Sequence, residues 1–117
     1  MPIAVLQVLN AFAATISTVS SLLVVFQPQI MSKSQEISAG EKFFAQMYAA
    51  RAVPFGIVTA VIPFVAASDV ATVRLVLMAA MAVQIVDAGI GIQRREQAMI
   101  VGPSIAAIVH GTMAWYA

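Results

Sequence analysis

The chain has 117 residues, of which 62% are hydrophobic and 9% charged, and its net charge is +1. Soluble domains carry about 25% charged residues, so this chain has too little charge to cover a water-facing surface and reads as one membrane domain over 1–117. The weak charge and the lack of a Lys/Arg-rich run exclude a nucleic-acid footprint. The absence of cysteine excludes disulfides, thiolate catalysis and Cys-ligated zinc or iron–sulfur sites.

A membrane-spanning helix needs about 20 mostly apolar residues. The first such stretch is 3–26, ended by Gln27-Pro28. No Lys or Arg precedes it, so it reads as a retained helix and not as a secretory leader. The connector 27–41 is the one extended polar stretch, with Lys33, Glu36 and Glu41. A second helix is predicted over 42–67. Ser68-Asp69 then offers capping oxygens for a third over 70–92. After the turn 93–97 a fourth fills 98–117. The expected fold is all-α, an integral membrane four-helix bundle.

Four spans put both termini and the second loop on one side of the membrane. Lys33, Lys42, Arg94 and Arg95 flank the first and third loops, against Arg74 alone on the opposite side. The positive-inside rule then places loops one and three in the cytoplasm and both termini outside, in the cell membrane. Trp115 and Tyr116 suit an interfacial anchor.

Lipid tails are as apolar as leucine, so membrane helices associate through close packing of small residues and through polar contacts. The fourth helix carries Ala98, Gly102, Ala106, His110 and Ala114 at four-residue spacing. Ala52, Gly56 and Ala60 repeat the pattern in the second helix, and Ala13, Ser17 and Ser21 in the first. This predicts a tight bundle with His110 facing protein. Pro54 is interior to its helix and frees the carbonyl of Ala50, beside Arg51.

Ionisable groups within spans are expensive, about 2.5–3.5 kcal/mol each on insertion scales, and usually face the interior and mark function. Three stand out: Arg51, Asp87 and His110. At 1.5 Å per residue, Asp87 and Arg51 lie about 8 and about 12 Å from the cytoplasmic ends of their helices. They are expected to pair. His110 and Asn10 lie deeper, at about 18–24 Å. Tyr48 and Gln84 share helix faces with Arg51 and Asp87, and with Asn10 they are expected to line one ligand-binding cavity. A histidine near a carboxylate is equipment for proton transfer, so Asp87, His110 and Arg51 are the candidate catalytic groups. A metal site needs more ligands than one histidine and one carboxylate, and neither metal nor cofactor is expected.

Small multidrug transporters share this size and plan, but their hallmark glutamate in the first helix has no counterpart here, where only Gln7 and Asn10 are strongly polar. The stretch Ala50-Arg51-Ala52-Val53-Pro54-Phe55-Gly56, with Asp87 and His110 in the following helices, resembles a family of small four-helix membrane proteins of bacteria and fungi filed as a domain of unknown function. That resemblance covers about two thirds of the chain. It implies that the arginine, aspartate and histidine belong together, and implies no activity. Sterol isomerases and their ligand-binding relatives are a fold-level analogy only.

The expected function is binding of a lipophilic small molecule, a lipid or terpenoid, in a polar-floored pocket within the membrane. Acid–base chemistry there would be isomerisation, cyclisation or epoxide opening. The alternatives are a proton- or ion-coupled transporter working as a homodimer, and a non-catalytic accessory subunit. The expected partners are membrane lipids and that lipophilic molecule.

Overall fold

The computed structural model describes residues 2–117, apart from the side chain of Met31. It contains α1 (Ile3–Phe26), a short α2 (Gln29–Ser32), α3 (Ala39–Val65), α4 (Val70–Arg94) and α5 (Gln97–Tyr116). The helices α1, α3, α4 and α5 are each long and apolar enough to cross a membrane. The bundle measures 48 × 25 × 19 Å, and its long axis matches a bilayer of about 40–45 Å including headgroups.

The boundaries differ from expectation at several ends: α3 stops at Val65, two residues short of the predicted 67, and elsewhere local chemistry extends a helix. α3 starts at Ala39, three residues before the predicted start, because Ser38 and Glu41 form a capping box. The Glu41 N–H donates to Ser38 Oγ at 3.1 Å, and the Ser38 N–H reaches back to Glu41 Oε1 at 3.5 Å. α4 starts where predicted, capped by Asp69, which accepts from the Thr72 N–H at 3.2 Å. It runs on to Arg94, and Arg95 closes it in the left-handed region at φ 57°. The connector before α3 turns at Lys33, also left-handed at φ 60°.

α1 packs along α3, and α4 along α5. α1 also lies against α5, whereas α3 barely touches α4. The cross-section is therefore a ring with one loose seam, between α3 and α4. Gly56 allows the close α1–α3 approach: a Cβ there would collide with the Thr18 side chain. Gly91 does the same for α4 and α5, where a Cβ would stand 2.6 Å from the Met99 backbone. Gly102 departs from its predicted role. It is exposed with open space beside it, and the small-residue stripe of the last helix is buried only from Ala106 onward.

The two ends of the bundle differ. At the end carrying the α3–α4 turn, Leu6, Val73, Leu77, Met113 and Ala114 form the buried apolar cluster. Arg74 closes that end by donating to the carbonyls of Ala114 at 3.1 Å and Ala117 at 3.0 Å, which α5 leaves without helical partners. The outer surface of the spans is largely apolar. Leu75 is 72% and Ile108 68% exposed, as a lipid-facing wall requires.

Candidate functional site

The site begins at a proline. Pro63 has no N–H, so the carbonyl of Thr59, four residues earlier in α3, lacks its helical donor. α3 ends two residues beyond Pro63, so the Pro63 carbonyl is also out of reach of a helical N–H. Two amides of α1 satisfy both. Gln7 Nε2 donates to the Pro63 carbonyl and Asn10 Nδ2 to the Thr59 carbonyl, each at 2.9 Å. Gln7 and Asn10 are three residues apart, hence on one face of α1, and the pair forms two rungs across the α1–α3 contact.

The orientation of Asn10 fixes the state of His110. With Nδ2 turned to a carbonyl, Oδ1 is the atom that meets the ring, 2.6 Å from His110 Nδ1. An amide oxygen only accepts, so Nδ1 carries the hydrogen and donates it. In the neutral ring, Nε2 then holds the lone pair. Among the described residues Nε2 has no hydrogen-bond partner. Both side chains are deeply buried, Asn10 at 0% and His110 at 1% exposure.

His110 lines a cavity of about 60 Å³ with Ser17 of α1, Tyr48, Phe55 and Thr59 of α3, and Gln84 and Asp87 of α4. A single water needs about 10–15 Å³ by this measure, so there is room for a few waters or one small polar group. The rim lies at the loose seam, where Tyr48 of α3 and Val83 of α4 are exposed. The cavity therefore opens sideways, toward lipid. A larger space of about 480 Å³ lies between it and the connector face, lined among others by Ser32, Ser38, Glu41 and Arg94, and it shares Tyr48 as a wall. The largest groove, about 840 Å³, runs outside α4 and α5 past Ile85 and Ile108 and is mostly apolar.

Four of the six predicted site residues thus come together. Tyr48, Gln84, Asp87 and His110 line one cavity, and Asn10 holds the histidine from behind. Arg51 does not join them. Its side chain is exposed, and its Nη1 donates to the Met47 carbonyl of its own helix at 3.2 Å. Among the described residues no ion pair links it to Asp87; the pair that forms is Arg94–Glu96 at 2.8 Å. The reason is angular. The buried stripe of α3 is Ala45, Ala49, Gly56, Thr59 and Pro63, and at 100° per residue Arg51 sits about 120° round from its centre. Tyr48 is closer to the stripe and reaches the cavity from its edge. The Ala50 carbonyl freed by Pro54 is likewise not the acceptor that Arg51 takes.

Sequence reasoning missed Ser17 and Thr59 as cavity residues and Gln7 as a structural donor. The signal was present: a proline four residues after Thr59 leaves an orphan carbonyl, and two amides three apart in an apolar helix need buried acceptors. Among the described residues no three histidine, cysteine or acidic side chains cluster as metal ligands would.

Four spanning helices around a small cavity with polar groups in its wall define a multi-pass membrane protein of the four-helix-bundle class. No family model, curated protein or solved structure matches the chain.

Proposed function

We propose that the protein binds the polar end of a lipophilic molecule at the His110 cavity and acts on it by proton transfer. A complete ligand pocket occupies about 300–1,000 Å³, so a cavity of about 60 Å³ admits only a headgroup. The apolar remainder of the molecule would lie in the seam between α3 and α4 and in the surrounding lipid. The observation that carries this reading is His110 itself. It is buried, its Nδ1–H is held by Asn10, and its Nε2 lone pair is left unengaged in a chamber shared with Asp87.

In that arrangement Nε2 is the base. It takes a proton from the bound group and gives it back, while Asn10 Oδ1 continues to accept from Nδ1–H. Tyr48 and Gln84 orient the ligand. Arg51 stands outside this scheme. The charge distribution supports a cytoplasmic placement of the face carrying α2 and the α4–α5 turn. The packed Leu6–Leu77–Met113 end weighs against a transport route through one chain.

The test is lipid analysis after extraction in native-membrane discs. The wild-type chain is expected to co-purify with a lipophilic molecule enriched over the bulk membrane, and His110→Leu and Asp87→Asn to lose it. Identical lipid profiles for all three proteins would refute the reading.

A further inference from the structure

We propose that the group this cavity recognises is a hydroxyl, so that its ligand is a lipophilic alcohol bound through its O–H to His110 Nε2. This rests on the reading above and names the chemistry of the ligand's polar end. The argument is an account of which donors and acceptors around the cavity are already engaged.

The Ser17 hydroxyl donates to the Ala13 carbonyl at 3.2 Å, and the Thr59 hydroxyl to the Phe55 carbonyl at 2.8 Å. Each hydroxyl proton is thus committed to its own helix. Gln84 Nε2 gives one N–H to Ser17 Oγ at 3.1 Å. Asn10 Nδ2 is held by the carbonyl that Pro63 orphaned. The acceptors that stay open around the chamber are His110 Nε2, the Asp87 carboxyl, Gln84 Oε1 and the Thr59 hydroxyl oxygen. The open donors are the Tyr48 hydroxyl, at the rim, and the second N–H of Gln84.

A carboxylate end has no proton to give, so it leaves His110 Nε2 unanswered, and it would carry an uncompensated charge into the bundle. A ketone or ester carbonyl only accepts, and would leave every open acceptor unanswered. An ammonium donates but cannot accept, so it leaves the second N–H of Gln84 unanswered, and it must shed a strongly held hydration shell. An alcohol donates to Nε2 and accepts from Tyr48 or Gln84 with the same oxygen, so it satisfies both sides of the account. A hydroxymethyl group also fits a space of about 60 Å³.

His110 is the chain's single histidine, so nitrogen-15 labelling of histidine gives one ring to follow by magnetic resonance. The full chain in phosphatidylcholine nanodiscs would be titrated with tetradecanol, tetradecanoic acid and tetradecylamine, which differ only in the polar end. The alcohol is expected to shift the Nε2 resonance saturably, and the acid and amine to leave it in place. A shift by the acid or the amine as large as that by the alcohol overturns the assignment of a hydroxyl while leaving a ligand site standing. Silence with all three overturns the ligand site as well. Asp87→Asn places a permanent N–H donor in the cavity wall, and the Nδ1 resonance reports whether the Asn10 contact survives in that variant. It is expected to narrow the preference for alcohol over acid, and an unchanged preference would also defeat the argument.

Discussion

Asn10 is the residue on which the site turns, because it answers two groups at once: a carbonyl that a proline orphaned and a ring nitrogen that needs an acceptor. Replacing it by leucine strands both. Interhelical hydrogen bonds within membranes contribute about 0.6 kcal/mol on average and up to about 1.7, so Asn10→Leu is expected to cost about 1–3 kcal/mol. Pro63→Ala restores an N–H four residues after Thr59 and removes the need for the Asn10 amide. The cost of Asn10→Leu is therefore expected to shrink by about 1 kcal/mol in the Pro63→Ala background. Thermal unfolding of the four proteins of that cycle in detergent measures it, and strict additivity would contradict the proposed link. At this scale the sequence was only partly legible. Burial of His110, and the common depth of Asn10 and His110, followed from helix spacing. The fate of Arg51 did not, because opposite charge and similar depth say nothing of which face of a helix a residue occupies. The angular position of Arg51 relative to Ala45, Ala49, Gly56 and Thr59 does decide it, and those small residues were the better guide.

Among the elements, span number and span type were legible because runs of apolar residues too long for a soluble helix admit one solution in lipid. Boundaries were not, since they depend on individual caps. Ser38 lies in a polar connector, and its pairing with Glu41 pulls three of those residues into α3. The α4 cap carries a pH signature. Hydrogen bonds from the Thr72 hydroxyl, at 2.7 Å, and from the Thr72 N–H hold the Asp69 carboxyl below the usual carboxylate range. A carboxyl depressed in the folded state stabilises at pH values above its unfolded value, and that contribution disappears as pH falls through the folded value. Asparagine caps equally well without titrating. The stability difference between wild type and Asp69→Asn is thus expected to favour wild type more at neutral pH than in acid. Unfolding measured from neutral pH down through the carboxylate range checks this, and a difference independent of pH would contradict it.

For the molecule as a whole, α3 and α4 scarcely touch while the other neighbours pack closely, and this could not be read from small-residue spacing alone. Such spacing marks surfaces capable of close approach, and Gly102, open on the exterior, shows that capability is not contact. Four spans place Ser34, in the connector, and Ala117 at opposite ends of the bundle. Cysteines introduced singly at these positions into the cysteine-free chain are expected to react with an impermeant thiol reagent from opposite sides of a vesicle, Ser34→Cys from the cytoplasmic side. Reaction of both from one side would contradict the four-span arrangement.

The unequal ends of the bundle bear on energetics. The chambers that carry polar side chains lie toward the connector, one behind the other with Tyr48 between them, whereas beyond His110 the next turn of α5 brings Met113 into the closed apolar cluster. A proton lent to the imidazole and given back would enter and leave by the same door. Such a cycle moves no net charge through the bilayer's electric field, so the membrane voltage neither drives the chemistry nor is dissipated by it. Turnover would proceed alike in energised and de-energised membranes.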